Sequence, residues 1–103
     1  MSVHSLVFFG SKQAGFEVCN VLINQLSAGI LMAIVCPDDS ADQRSEMAKF
    51  KSLADEHGVA FHIVKNVAET KGIIKSYNPS LVLVHGWYQL LPVTEFANTL
   101  FLF

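Results

Sequence analysis

Residues 81–92 read LVLVHGWYQLLP. The first half is short, apolar and unbroken by alternation, the pattern of a strand covered on both faces. Gly86 ends it. The chain then places Trp87, Tyr88, Gln89, Leu90 and Leu91 where a connecting loop is ordinarily small and polar. Two readings of that loop compete. Its side chains either cap the core of a sheet or wall a pocket at a strand end.

Three further runs of the same kind precede it: HSLVFFG at 4–10, ILMAIVCP at 30–37 and VAFHIV at 59–64. All are rich in Val, Ile and Phe, as strands buried on both faces require. Helical spacing fills the gaps. Phe16, Cys19, Leu22, Ile23 and Leu26 share one face in the first, and Met47, Phe50, Leu53 and Ala54 in the second. A capping box, Ser40 with Gln43, opens the second helix and Gly58 punctuates its end. In the third gap Asn66 and Glu69 repeat the capping relation before Ile73, Ile74 and Tyr77, and Asn78-Pro79 closes it. The order β-α-β-α-β-α-β predicts an α/β fold with a Rossmann-like parallel sheet. Beyond Pro92, VTEFAN is expected to make a short helical turn and TLFLF to begin a fifth strand, so that residues 1–103 stop in mid-element.

The chain is 103 residues long, 51% hydrophobic and 16% charged, enough for one modest core and incompatible with a disordered segment. A formal charge of −2 supplies no electrostatic reason to bind nucleic acid or an anionic membrane. The opening MSVHSLVFFG has no basic segment and too short an apolar run for a signal peptide, and no stretch is long enough to span a bilayer. Two cysteines, Cys19 and Cys36, form neither a metal cluster nor a CxxC pair, and a cytoplasmic protein with buried thiols is expected.

Ligands of parallel sheets gather at the carboxyl ends of the strands. The first such end reads FFGSKQAGF. Lys12 stands where G-x-G-x-x-G needs its second glycine, and Phe16 and Glu17 follow Gly15 where a P-loop needs Lys and Ser or Thr. Both standard phosphate sites fail. A helix N-terminus with Gly10, Ser11 and Lys12 remains, suited to a carboxylate or phosphate. The alternative is an ordinary tight turn with glycines for backbone reasons and a solvated Lys12. Asp38 and Asp39 fit a ribose-binding acid loosely and a solvated turn better. His85 is the histidine at a functional strand end; His57 suits a helix C-terminus, and His4 and His62 lie within strands.

HGWYQLLP after a fourth strand resembles the formyltransferase family that uses N10-formyltetrahydrofolate. Members acting on methionyl-tRNA or nucleotide-linked amino sugars carry a segment like Tyr-Gly-Gln-Ile-Leu-Pro there. Trp87 to Pro92 match it position by position, with Tyr88 in place of the glycine. LVFFGSKQAGFEVCNVL, LADEHGVAFHIVKN and IIKSYNPSLVLV are similar to further stretches of the family, so the resemblance runs along essentially the whole chain. It implies that Gly86, Trp87, Tyr88, Gln89, Leu90 and Leu91 help cradle the pterin ring of N10-formyltetrahydrofolate. It also implies that Gly10, Ser11 and Lys12 face the substrate. The family's catalytic Asn and His lie in Asn-x-His-x-Ser-Leu-Leu-Pro on a fifth strand, with an Asp later, and none can be placed here. Residues 1–103 therefore correspond to the N-terminal part of the catalytic domain and are expected to be inactive alone. The short acidic CPDDSADQR favours a small amine, such as an amino sugar attached to a nucleotide, over tRNA. The competing expectation is a non-catalytic module that pairs through the open sheet edge at LFLF.

Overall fold

A computed structural model describes residues 4–38 and 46–103. The elements in chain order are β1 (Leu6–Gly10), α1 (Lys12–Gln25), β2 (Leu31–Pro37), α2 (Met47–His57), β3 (Ala60–Val64), α3 (Val67–Tyr77), β4 (Leu81–His85) and β5 (Leu100–Leu102). The strands form one sheet in the order β3-β2-β1-β4-β5, every neighbouring pair parallel. The expected α/β architecture with a Rossmann-like sheet is the observed one.

Local chemistry sets the helix ends. The Asn66 side chain accepts the Glu69 amide at 3.0 Å, and Glu69 Oε1 accepts the Lys65 amide at 2.6 Å, one residue before a strict capping box. Gly58 (φ 68°) and Asn78 (φ 46°) end α2 and α3 in the left-handed conformation, and Pro79 follows the latter. Described α2 residues begin with Glu46 as N-cap. Ser40, Gln43 and Asp39 lie outside the described residues, as does most of the acidic segment.

Two cores flank the sheet. On one face Leu6, Phe8, Ile34, Cys36 and Leu81 meet Cys19 and Ile23 of α1 and Phe50, Leu53 and Ala54 of α2. Phe50 stacks on Phe8 at 6.3 Å between ring centroids and takes Phe16 edge-on at 5.6 Å, contacts of about 0.5–1.5 kcal/mol each beyond simple burial. On the other face Val7, Phe9, Ala33, Val35, Val64, Val82 and Val84 pack under Ile74 of α3. The first strand is buried throughout, as its composition predicts. The third run departs from expectation: Ala60 and Ile63 are exposed, because β3 is an edge strand with a neighbour on one side only. Residues 93–98 make two successive turns, with the Glu95 amide on the Pro92 carbonyl and the Thr99 amide on the Phe96 carbonyl, before β5 joins β4.

Candidate functional site at the strand carboxyl ends

The order β3-β2-β1-β4-β5 creates a switch point between β1 and β4. From β1 the chain passes into α1 and covers one face of the sheet; from β4 it passes to the other face, where Trp87, Leu91 and Phe96 join the core under α3. The turns leaving these two strands are the two stretches that the sequence singles out, and the fold lays one against the other.

Their contact is a main-chain one. The Ser11 amide donates to the His85 carbonyl at 3.3 Å, and the Ser11 hydroxyl donates to the Gly86 carbonyl. Gly86 is left-handed at φ 74°, and a Cβ there would run into the Ser11 carbonyl oxygen. At Gly15, on the first turn of α1, a Cβ would stand 2.8 Å from the His85 carbonyl oxygen. Gly15 is therefore small so that the helix can approach β4, which is a backbone reason and not a phosphate one. Gly10 and Ser11 are both buried. Because the Ser11 hydroxyl is turned toward Gly86, α1 begins without a side-chain cap and with no acid in its first turn, leaving its positive end to Lys12 and the following amides.

Lys12 is half-buried and left-handed at φ 63°, a conformation that costs a residue with a Cβ roughly 1–2 kcal/mol. Its ammonium lies 4.8 Å from the centroid of the Tyr88 ring. That cation–π contact returns about 0.5–1 kcal/mol at an exposed site and ties the two turns together at their outer rim.

The loop after β4 divides residue by residue between core cap and pocket wall. Trp87 meets Phe9 edge-on at 5.1 Å and 85°, and Leu91 packs into the same core. Those two are caps. Tyr88 is 57% exposed and Leu90 81% exposed, so both present apolar surface outward. Trp87 Nε1 and Gln89 Oε1 are enclosed and find no hydrogen-bond partner among the described residues. A donor and an acceptor left unmade within three residues of each other cost about 1–3 kcal/mol apiece. They are the polar atoms of the loop with capacity to spare.

His85 is exposed and lines an open groove of about 480 Å³ with Ala14, Glu17, Val18, Val21 and Leu22 of α1. Sequence reasoning missed this groove. Its signal was Val18 and Val21, a second apolar flank on α1 beside the core-facing one. Two other histidines have structural roles: Nδ1 of His57 bonds the Leu53 carbonyl in the last turn of α2 at 3.1 Å, and Nε2 of His62 meets the Tyr77 hydroxyl at 2.7 Å. His4, expected within a strand, precedes β1 and gives its amide to the Ser80 hydroxyl at 3.1 Å. Asp38 is exposed, its amide on the Val64 carbonyl. Burial pushes the Cys19 thiol up to about 12, far from a nucleophile's range. Cys19 and Cys36 are free thiols, and no three His, Cys, Asp or Glu side chains gather as a metal set among the described residues.

No protein-family model, curated protein or solved structure matches this chain.

Proposed function

We propose that this chain carries part of a reduced-folate surface, as the N-terminal part of a formyltransferase that passes a formyl group from N10-formyltetrahydrofolate to a small amine. The observation that carries the reading is the juxtaposition of the two turns at one switch point, joined by Ser11 to Gly86 and by Lys12 over Tyr88. A pterin is flat and apolar on its faces, with donors and acceptors around its edge, and its site needs apolar walls beside unsatisfied polar groups. Tyr88 and Leu90 offer wall. Trp87 Nε1, Gln89 Oε1 and the main chain from Gly86 to Leu91 offer edge-reading groups. Across the contact between the two turns, Lys12 and the start of α1, which has no side-chain cap, suit an anionic part of the amine substrate, with Gly10 and Ser11 holding the turn.

Formyl transfer needs an acceptor for the proton of the attacking amine and donors for the oxyanion that develops on the formyl carbon. In this reading neither comes from residues 1–103, and the isolated chain turns over nothing. A cytoplasmic setting accords with the free thiols, and no helix among the described residues is long and apolar enough to cross a membrane. The second reading, a non-catalytic module that pairs through its sheet edge, draws on a different observation, the half-exposed Leu100 and Leu102 of β5.

Trp87 is the chain's one tryptophan, so its emission reports on this loop alone. Titration with 5-formyltetrahydrofolate, a chemically stable isomer, is expected to change that emission saturably, with matching heat in calorimetry. NAD and ATP are expected to do neither. Absence of a saturable folate signal, or an equal response to NAD or ATP, would overturn the proposal.

A further inference from the structure

We propose that the groove between α3 and the turns at 93–98 binds a small flat anion, an aromatic carboxylate. The argument starts from glycine. Five of the six glycines have a use visible in the fold. Gly29, Gly58 and Gly86 are left-handed, and a Cβ at Gly10 or Gly15 would meet the Phe8 ring or the His85 carbonyl. Gly72 has neither reason. It is helical and exposed, and no heavy atom stands within 4 Å of its Cβ position. Inside α3 it weakens the helix relative to alanine, and no packing contact takes up the space it leaves.

That space opens on a groove of about 370 Å³, within the range of small-molecule sites, lined by Lys71, Gly72, Lys75, Glu95 and Phe96. Its two sides are held together. Lys71 Nζ lies 2.8 Å from Glu95 Oε1, an ion pair that ties α3 to the turns before β5. Phe96 packs against the core under α3 and is half-buried, so part of its ring surface remains to the groove. Lys75, one turn after Lys71, is exposed and has no ion pair or hydrogen bond among the described residues. With Lys71 neutralised by Glu95, Lys75 leaves the lining one net positive charge, beside an aromatic ring and bare helix backbone.

Each of these parts has a chemical complement. An ammonium makes its shortest and strongest hydrogen bonds to an ionised acceptor. An aromatic partner meets a Phe ring offset or edge-on. Gly72 lets a flat body lie against the helix where a side chain would hold it off. A bare inorganic anion would use Lys75 alone and an uncharged aromatic Phe96 alone; an aromatic carboxylate uses both. The contacts are open to water, so binding is weak and falls as salt rises. The groove shares no residue with the turns after β1 and β4, so the folate reading and this one can fail separately.

Amide chemical shifts of the chain, titrated with 2-naphthoate to about 10 mM, test this. The expected result is a saturable change centred on Lys71, Gly72, Lys75 and Phe96 with a Kd of about 1 mM, and none with 2-naphthamide or inorganic phosphate at the same concentration. Gly72→Ala stands a methyl group in the groove. It is expected to weaken binding about tenfold while the free chain becomes more stable, a pair of effects that a glycine kept for folding would not give. Lys75→Gln is expected to weaken binding about fivefold, and Glu95→Gln, which frees Lys71, to tighten it about two- to fivefold. No saturable change at these residues, an equal response to 2-naphthamide or phosphate, unchanged affinity in Gly72→Ala, or weaker binding in Glu95→Gln would each overturn the proposal.

Discussion

Replacing Gly86 by alanine tests whether the turns after β1 and β4 are in contact. Two penalties add. Gly86 sits at φ 74°, where a residue with a Cβ loses roughly 1–2 kcal/mol. The new methyl would also collide with the Ser11 carbonyl oxygen, a main-chain atom held by the hydrogen bond from the Ser11 amide to His85. Forcing extra volume into such a place costs about 1–3 kcal/mol. The expected loss is therefore about 2–5 kcal/mol, a large part of the 5–15 kcal/mol typical of a whole domain. Gly58 separates the two penalties, since it has φ 68° but no heavy atom within 4 Å of its Cβ position. Gly58→Ala is expected to lose only the conformational part, about 1–2 kcal/mol. Gly15→Ala carries the complementary case: helical backbone, contact with the His85 carbonyl at 2.8 Å, and a helix-propensity gain of about 1 kcal/mol to offset it. Urea unfolding followed by circular dichroism measures all three, with an unchanged m-value required for the comparison. If Gly86→Ala costs no more than Gly58→Ala, the two turns do not touch and the switch-point site has no structural basis.

Two predictions probe other parts of the fold. Gly72 lies inside α3 with nothing within 4 Å of its Cβ position, so Gly72→Ala is expected to stabilise by about 0.5–1 kcal/mol; a loss in the same urea assay would mean that the helix surface there is closed. Cys19 has its pKa pushed up from 9.0 to about 12 by burial, so the unfolded chain releases the proton first as pH rises. Stability contributed by the neutral thiol is complete below pH 9 and is lost between pH 9 and about pH 12, with a slope of up to about 1.4 kcal/mol per pH unit. Cys19→Ala is expected to flatten that part of the pH profile, and an unchanged alkaline slope would refute the assignment.

Much of the architecture was legible because burial on two faces leaves a compositional mark. LVFFG and LVLVH read as inner strands and are inner strands. VAFHIV has nearly the same composition and is an edge, since local sequence does not encode how many neighbours a strand acquires. Helix ends were legible where a side chain does the capping, as at Asn66, or where the backbone turns left-handed at Gly58 and Asn78. The site was legible as two stretches, Gly10 to Lys12 and Gly86 to Leu91, but not as contacts. Ser11 read as part of a helix N-terminus suited to an anion, and its hydroxyl goes to Gly86, seventy-five residues away. Nothing in a lysine announces φ 63° at Lys12; tertiary contact imposes it. The composition of Trp87 to Leu91 could not say which side chains turn inward, because the direction is set by the left-handed Gly86 before them.

The apolar loop and the exposed edge have one cause. Parallel neighbours are ordinarily joined by a helix that covers the sheet as it crosses. β1, β2 and β3 each hand over to such a helix, but no helix among the described residues joins β4 to β5. Residues 86–99 must cover the α3 face of β4 without helical geometry, and large side chains do it: Trp87 on Phe9, then Leu91 and Phe96. That answers why a loop should be so apolar, and it also explains Tyr88 and Leu90, which alternate outward as their neighbours turn in. On the α1 side no residue of this connection replaces the missing helix, so Leu100 and Leu102 stand half exposed beside Leu83. Core capping and site formation are thus not rivals for the same loop. The inward residues fix its path, and fixing the path is what leaves Tyr88 and Leu90 facing outward.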